Sequence, residues 1–85
     1  MIPPAVRAAW GAGDERLAIT LLGRAQGDWP QGSPEWALLE RLLGLLLITV
    51  QREVEGTFAL ERADALLEEH GLEPPGLEWL EGGEG

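Results

Sequence analysis

Carboxylates are the only chemically versatile side chains this chain carries in number. There are fifteen Asp and Glu residues against six basic residues and one histidine, and no cysteine. The close pairs are Glu68 with Glu69, Glu61 with Asp64, and Glu53 with Glu55. Paired carboxylates do general acid–base work only where a desolvating pocket raises one pKa. All three pairs fall on helix faces expected to meet solvent. His70 stands at the end of a helical stretch, where partial positive charge complements the dipole. As a metal ligand it would need partner His or Cys residues. The single serine, Ser33, precedes Pro34 and Glu35 and reads as a helix cap, so no nucleophile–base set can be assembled. Gly11-Ala12-Gly13 lacks the third glycine, the preceding strand and the lysine of a phosphate loop. The expectation is a protein that is not an enzyme, with no cofactor and no metal.

What stands out instead is apolar surface. The stretch from Leu38 to Val50 is apolar on nearly every side of a helix, and such a helix is buried nearly all round. Leu39, Leu42, Leu46 and Val50 form one face, Trp36, Leu43, Leu47, Val50 and Val54 a second, and Leu38, Leu45 and Ile48 a third. Its polar residues, Glu40-Arg41 and Gln51-Arg52-Glu53, are expected to reach water. Gly44 is disfavoured by about 1 kcal/mol against alanine in mid-helix, and a close crossing by another helix would offset that. With only shorter helices to cover it, one copy should leave part of this helix bare. Trp36, Leu38, Leu43, Leu45, Leu47 and Ile48 are therefore the candidate interface. The partner expected is a second copy in a homodimer, or another helical protein. Four tryptophans, Trp10, Trp29, Trp36 and Trp79, lie near helix ends or in loops, at the periphery of the core or as interface anchors.

The elements that must position these residues follow from helix punctuation. The fold class expected is all-α, a compact bundle of three to four helices around a long central apolar helix. Helices are expected near 4–11, 14–26, 33–54 and 57–70. Pro3-Pro4 suits a first turn, Asp14 caps the second helix, and Ser33-Pro34-Glu35 opens the third. Gly27-Asp28 ends the second helix, with Arg24 and Asp28 spaced to pair. Glu55-Gly56 is expected to break the third helix and Thr57 to cap the fourth, which stops at Gly71. Leu77, Trp79 and Leu80 are expected to fold back as an apolar flap. One domain spans 1–80, and 81–85 forms an acidic, glycine-rich tail. No period-two alternation signals a strand.

From Trp10 to Leu67, and again over Gly76 to Trp79, the layout resembles a helical family called domain of unknown function 309. That family has a short helix, a glycine, and a helix carrying a Phe-x-x-His-Glu-x-x-Glu-x-x-Trp type signature. A long apolar helix with a polar end follows, then a glycine-containing turn and an amphipathic helix. Leu38-Leu39 through Val50-Gln51-Arg52, then Gly56, then Leu60 to Leu67 are similar in order and spacing. The signature is missing. Ile19 stands at the histidine position, Thr20 and Gly23 at the glutamate positions, and Gln26 near the tryptophan position. The resemblance thus implies a degenerate member that keeps the scaffold and carries no family site.

Composition bounds the rest. Eighty-five residues with 45% hydrophobic content make one globular unit. The net charge of −9 opposes contact with a phosphate backbone, which needs a basic footprint. No apolar run approaches the about 20 residues of a membrane span, and no secretory leader is recognisable, so the cytoplasm is the expected location. The function expected is a non-catalytic protein–protein interaction or assembly module. The alternatives are a small acid-dependent hydrolase or its remnant, and an acidic inhibitor that mimics nucleic acid.

Overall fold

The computed structural model describes residues 1–81, so the tail expected at 81–85 lies, apart from Glu81, outside the described residues. Four α-helices are present: α1 (Pro4–Gly11), α2 (Glu15–Gln26), α3 (Pro34–Thr49) and α4 (Glu53–Glu69). A 3-10 turn follows at Leu77–Leu80. Among the described residues there is no strand, and no helix is long and apolar enough to cross a membrane.

Local signals account for most boundaries. The Asp14 carboxylate accepts from the backbone N–H of Leu17 at 3.2 Å, capping α2. The Ser33 hydroxyl accepts from Trp36 N–H at 3.1 Å, and Pro34 takes the first helical position of α3. Helix α4 ends as read, with Gly71 at φ +70° donating to the Glu68 carbonyl and Leu72 donating to the Leu67 carbonyl. This double bond pattern closes a helix through a left-handed residue.

The end of α3 differs from expectation. It stops at Thr49 rather than running to Val54, and Gly56 is a buried residue inside α4. The residue that turns the chain is Gln51, at φ +67°. Gln51 N–H bonds the Ile48 carbonyl at 3.0 Å and Arg52 N–H bonds the Leu47 carbonyl at 2.8 Å. That is the same left-handed closure, made here by a residue type that seldom adopts it. Thr57 is accordingly not a cap. Arg52 occupies the cap position without a side-chain bond, while Glu53 and Glu55 place negative charge in the first turn of α4. The longest helix is α4, not α3.

Helix α3 is apolar all round because it is packed from opposite sides. Leu39, Leu42 and Leu46 join Val6 and Ala9 of α1 and Ala18, Leu22 and Ala25 of α2 in the larger core. Ile2 and Leu80 close that core, and Leu80 is 1% exposed. The flap is thus real, and the Arg7 guanidinium holds it by donating to the Trp79 carbonyl at 3.0 Å. On its other side Ala37 meets Ala63 and Leu67 of α4, with Leu38 and Leu66 packed beside them. Among the described residues, the only extensive helix contact that α4 makes is with α3.

The α3–α4 seam is a crossing of two glycines. A Cβ placed on Gly44 would lie 2.8 Å from Leu60 Cδ2 and 3.0 Å from the Gly56 carbonyl oxygen. A Cβ placed on Gly56 would lie 2.7 Å from Ile48 Cγ1 and 2.8 Å from the Gly44 carbonyl oxygen. The close approach expected at Gly44 is therefore present, and Gly56 is its counterpart.

Two substitutions test this account of the turn and the seam. Gly56→Ala meets backbone, which yields poorly, so its overpacking penalty lies toward the upper part of about 1–3 kcal/mol. That exceeds the about 1 kcal/mol gained in helix propensity, and the urea midpoint should fall. A midpoint at or above the parent's would remove the crossing. Gln51→Gly relieves a left-handed conformation unfavourable by about 1–2 kcal/mol for side chains with a Cβ, against an entropy loss of about 0.5–1 kcal/mol. Its midpoint should equal or exceed the parent's, whereas a drop would show that Gln51 is not the turning residue.

Candidate functional site

The first place to look for chemistry is the buried carboxylate. Glu40 was expected to reach water, but its side chain is 7% exposed, because α2 and α4 close over that side of α3. Its Oε1 accepts from Gln26 Nε2 of α2 at 2.7 Å. Its Oε2 accepts from Arg62 Nε and Nη2 of α4, at 3.0 and 2.7 Å. Gln26 Nε2 also lies 3.3 Å from the Trp36 carbonyl, to which it donates. Both carboxylate oxygens are engaged by side chains of the neighbouring helices. This node ties the three layers α2, α3 and α4 together at one point.

A second place is a cleft of about 380 Å³ between α2 and the α3–α4 turn, lined by Arg16, Ile19, Thr20, Val50 and Arg52. Ile19 and Thr20 are two of the positions set against the histidine and glutamate of the signature in the resemblance drawn from sequence. Here an isoleucine and a threonine occupy them, and the Thr20 hydroxyl donates to the Arg16 carbonyl at 3.1 Å. Of the other two signature positions, Gly23 is exposed and Gln26 turns to Glu40. Arg52 is taken up by Glu55, with Nε 2.6 Å from Oε1. That hydrogen bond holds the Glu55 carboxyl below its ordinary pKa and raises that of Arg52.

The expected carboxylate pairs lie at the surface. Glu53, Glu55, Glu61, Asp64, Glu68 and Glu69 are all exposed. Asp64 binds Arg41 at 2.7 Å. The expected Arg24–Asp28 pair is not among the ion pairs of the described residues. His70 Nε2 lies 3.1 Å from the Gly32 carbonyl oxygen, tying the end of α4 to the loop before α3. Among the described residues, no group of three or more His, Asp or Glu side chains is placed to hold a metal ion.

The six candidate interface residues are each half-buried within one chain. Leu43 and Leu45 pack on the larger core, Leu38 packs on the smaller one, and Ile48 lies against Gly56. Trp36 and Leu47 are half-buried on the Glu40 side of α3. Trp10 and Trp29 pack on the larger core, and Trp79 is 36% exposed.

The most exposed large apolar side chains lie elsewhere, on α4. Val54 is 71% exposed and Phe58 is 56% exposed. They are four apart, so they share one face. At roughly 100° per residue, Phe58 lies on the far side of α4 from Gly56, facing away from α3. With Glu53 and Thr57 they line a shallow depression of about 240 Å³. Reading Gly56 as a helix break hid this face, because it placed Val54 and Phe58 on different helices. Continuing the four-residue spacing through Gly56 would have revealed it.

No family model matches the chain, and no curated protein or solved structure matches it.

Two ion pairs should behave oppositely. Removing Arg62 leaves the buried Glu40 carboxylate with one donor, so Arg62→Ala should lower stability. Because Arg62 is itself 57% exposed, the loss is discounted to about 1–3 kcal/mol. Arg52→Ala removes a pair that is solvated on both sides and should leave the urea midpoint unchanged. Equal effects from the two variants would show that Glu40 is not a buried anchor.

Proposed function

We propose that this chain is a non-catalytic protein–protein interaction or assembly module of the cytoplasm. It keeps a helical scaffold resembling domain of unknown function 309 without that family's polar cluster. Its partner is a helical protein surface, either a second copy, as in a homodimer, or another chain.

The observation that carries the reading is the outer face of α4. Val54 and Phe58 are largely exposed on a helix whose one extensive helix contact is with α3. Scattered exposed apolar residues are ordinary. A valine and a phenylalanine one turn apart on the outward face of α4 match the anchor spacing by which a helix face engages a partner. The half-buried Trp36, Leu43 and Leu47 on α3 would extend such a contact as a rim. A phosphate mimic has no use for apolar residues amid its charges. A hydrolase needs a desolvated, unengaged carboxylate, whereas both oxygens of Glu40 are committed to structure.

A photoreactive benzoylphenylalanine at position 58 tests this in native lysate. Irradiation should give one discrete adduct, absent when the same group replaces the exposed Gln31. A doubled chain mass identifies self-association, and any other discrete mass identifies a distinct partner. No adduct above the Gln31 control would reject the module reading.

A further inference from the structure

The charge around Val54 and Phe58 narrows the partner. Along α4 the solvent face carries Glu53, Thr57, Glu61, Ala65, Glu68 and Glu69, all exposed. Three arginines reach α4 or lie on it, and each is already bound by a carboxylate: Arg41 by Asp64, Arg52 by Glu55 and Arg62 by Glu40. Among the described residues, Glu53, Glu61, Glu68 and Glu69 form no ion pair. Glu53 and Glu61 thus flank the apolar pair, Arg62 beside it is committed to Glu40, and Glu68 and Glu69 continue the acidic line toward the end of α4.

Building on the module reading, we propose that this face docks a basic amphipathic helix of another protein. The partner's apolar residues pack on Val54 and Phe58, and its Lys or Arg residues meet Glu53, Glu61, Glu68 and Glu69. A second copy fits this face poorly. Its outer face would present the same acids, and its nearby arginines are engaged within the chain. Like charges brought together across a contact are penalised, and that selects against self-pairing. The apolar pair supplies the desolvated anchor and the acids supply orientation and approach rate.

The test uses the full chain and two synthetic peptides of identical composition. One places lysines on one helix face and leucines with a single tryptophan on the other; its counterpart has the same residues scrambled. Anisotropy of a fluorescein attached to the peptide's N-terminus should report saturable binding of the amphipathic peptide that weakens as salt is raised, because exposed charge pairs are screened. The scrambled peptide should bind far more weakly. Phe58→Ser combined with Val54→Ser should reduce affinity about tenfold or more, the scale of losing an aromatic anchor. Leu17→Ser, at the exposed leucine of α2, should not reduce it. Circular dichroism confirms that each variant remains folded.

Equal binding of the two peptides, or no effect of the double substitution, overturns the proposal. Sedimentation equilibrium separates its failure from that of the module reading. A dimer abolished by the double substitution makes the occupant a second copy and overturns the basic-partner assignment, while the module reading stands. A monomer that binds neither peptide, yet gives a position-58 adduct with another protein, overturns the basic-partner assignment alone. A monomer with neither peptide binding nor adduct overturns both.

Discussion

Gly44 and Gly56 face each other across α3 and α4 at a distance that admits no side chain on either, and the exposure of the molecule follows from that constraint. The crossing fixes where α4 sits and also how it is rotated about its own axis. With Gly56, Ala59, Ala63 and Leu67 turned inward, helical geometry sends Val54 and Phe58 outward. Rolling α4 to bury the phenylalanine would swing Gly56 out of the contact. A larger side chain would then enter a space already filled by the Ile48 side chain and the Gly44 carbonyl oxygen. The penalty of two mid-helix glycines and the exposure of an aromatic ring are linked consequences of one packing decision.

The second constraint is polar. A carboxylate buried in a helix otherwise rich in leucine is unfavourable unless its oxygens are fully served. Glu40 is served by Gln26 from one side and by Arg62 from the other. Only the observed register of α2 and α4 supplies both donors at once. Leucine packing tolerates sliding by a turn at modest loss, whereas a buried carboxylate stripped of its donors does not. The glycine seam sets the rotation and closeness of α4, and the Glu40 node sets its position along α3. A small chain without disulfides has few other means to hold one arrangement.

Much of this fold was legible from residue types whose local physics leaves little choice. Asp14, Ser33-Pro34 and Gly71 act as read, because capping and left-handed closure depend on a few neighbouring backbone groups. The close approach at Gly44 was legible too. The end of α3 was not, because the search was for a glycine at the turn. The chain instead places Gln51 in the left-handed conformation and uses Gly56 for packing. Glycine serves both ends, and sequence does not say which. That one exchange of roles also displaced Val54 onto α3 and separated it from Phe58, so the exposed face of α4 was not legible. Glu40 escaped notice for a related reason: its burial depends on two residues far away in sequence.

The acidic surface and the apolar face of α4 are best understood together. An exposed phenylalanine risks indiscriminate association. Glu53 and Glu61 beside it, which form no ion pair among the described residues, change which surfaces can approach. Neutral apolar surfaces that would cover the ring must also desolvate those carboxylates, which is unfavourable without compensation. Acidic surfaces, including other copies of this chain, are repelled within a Debye length of about 8 Å. A surface that brings cations to the rim avoids both penalties and still gains the burial of Val54 and Phe58. In the proposed docking the ring would contribute affinity and the glutamates discrimination. Both need a face that the fold itself does not use, and α4, packed extensively on α3 but, among the described residues, on no other helix, leaves its far side free.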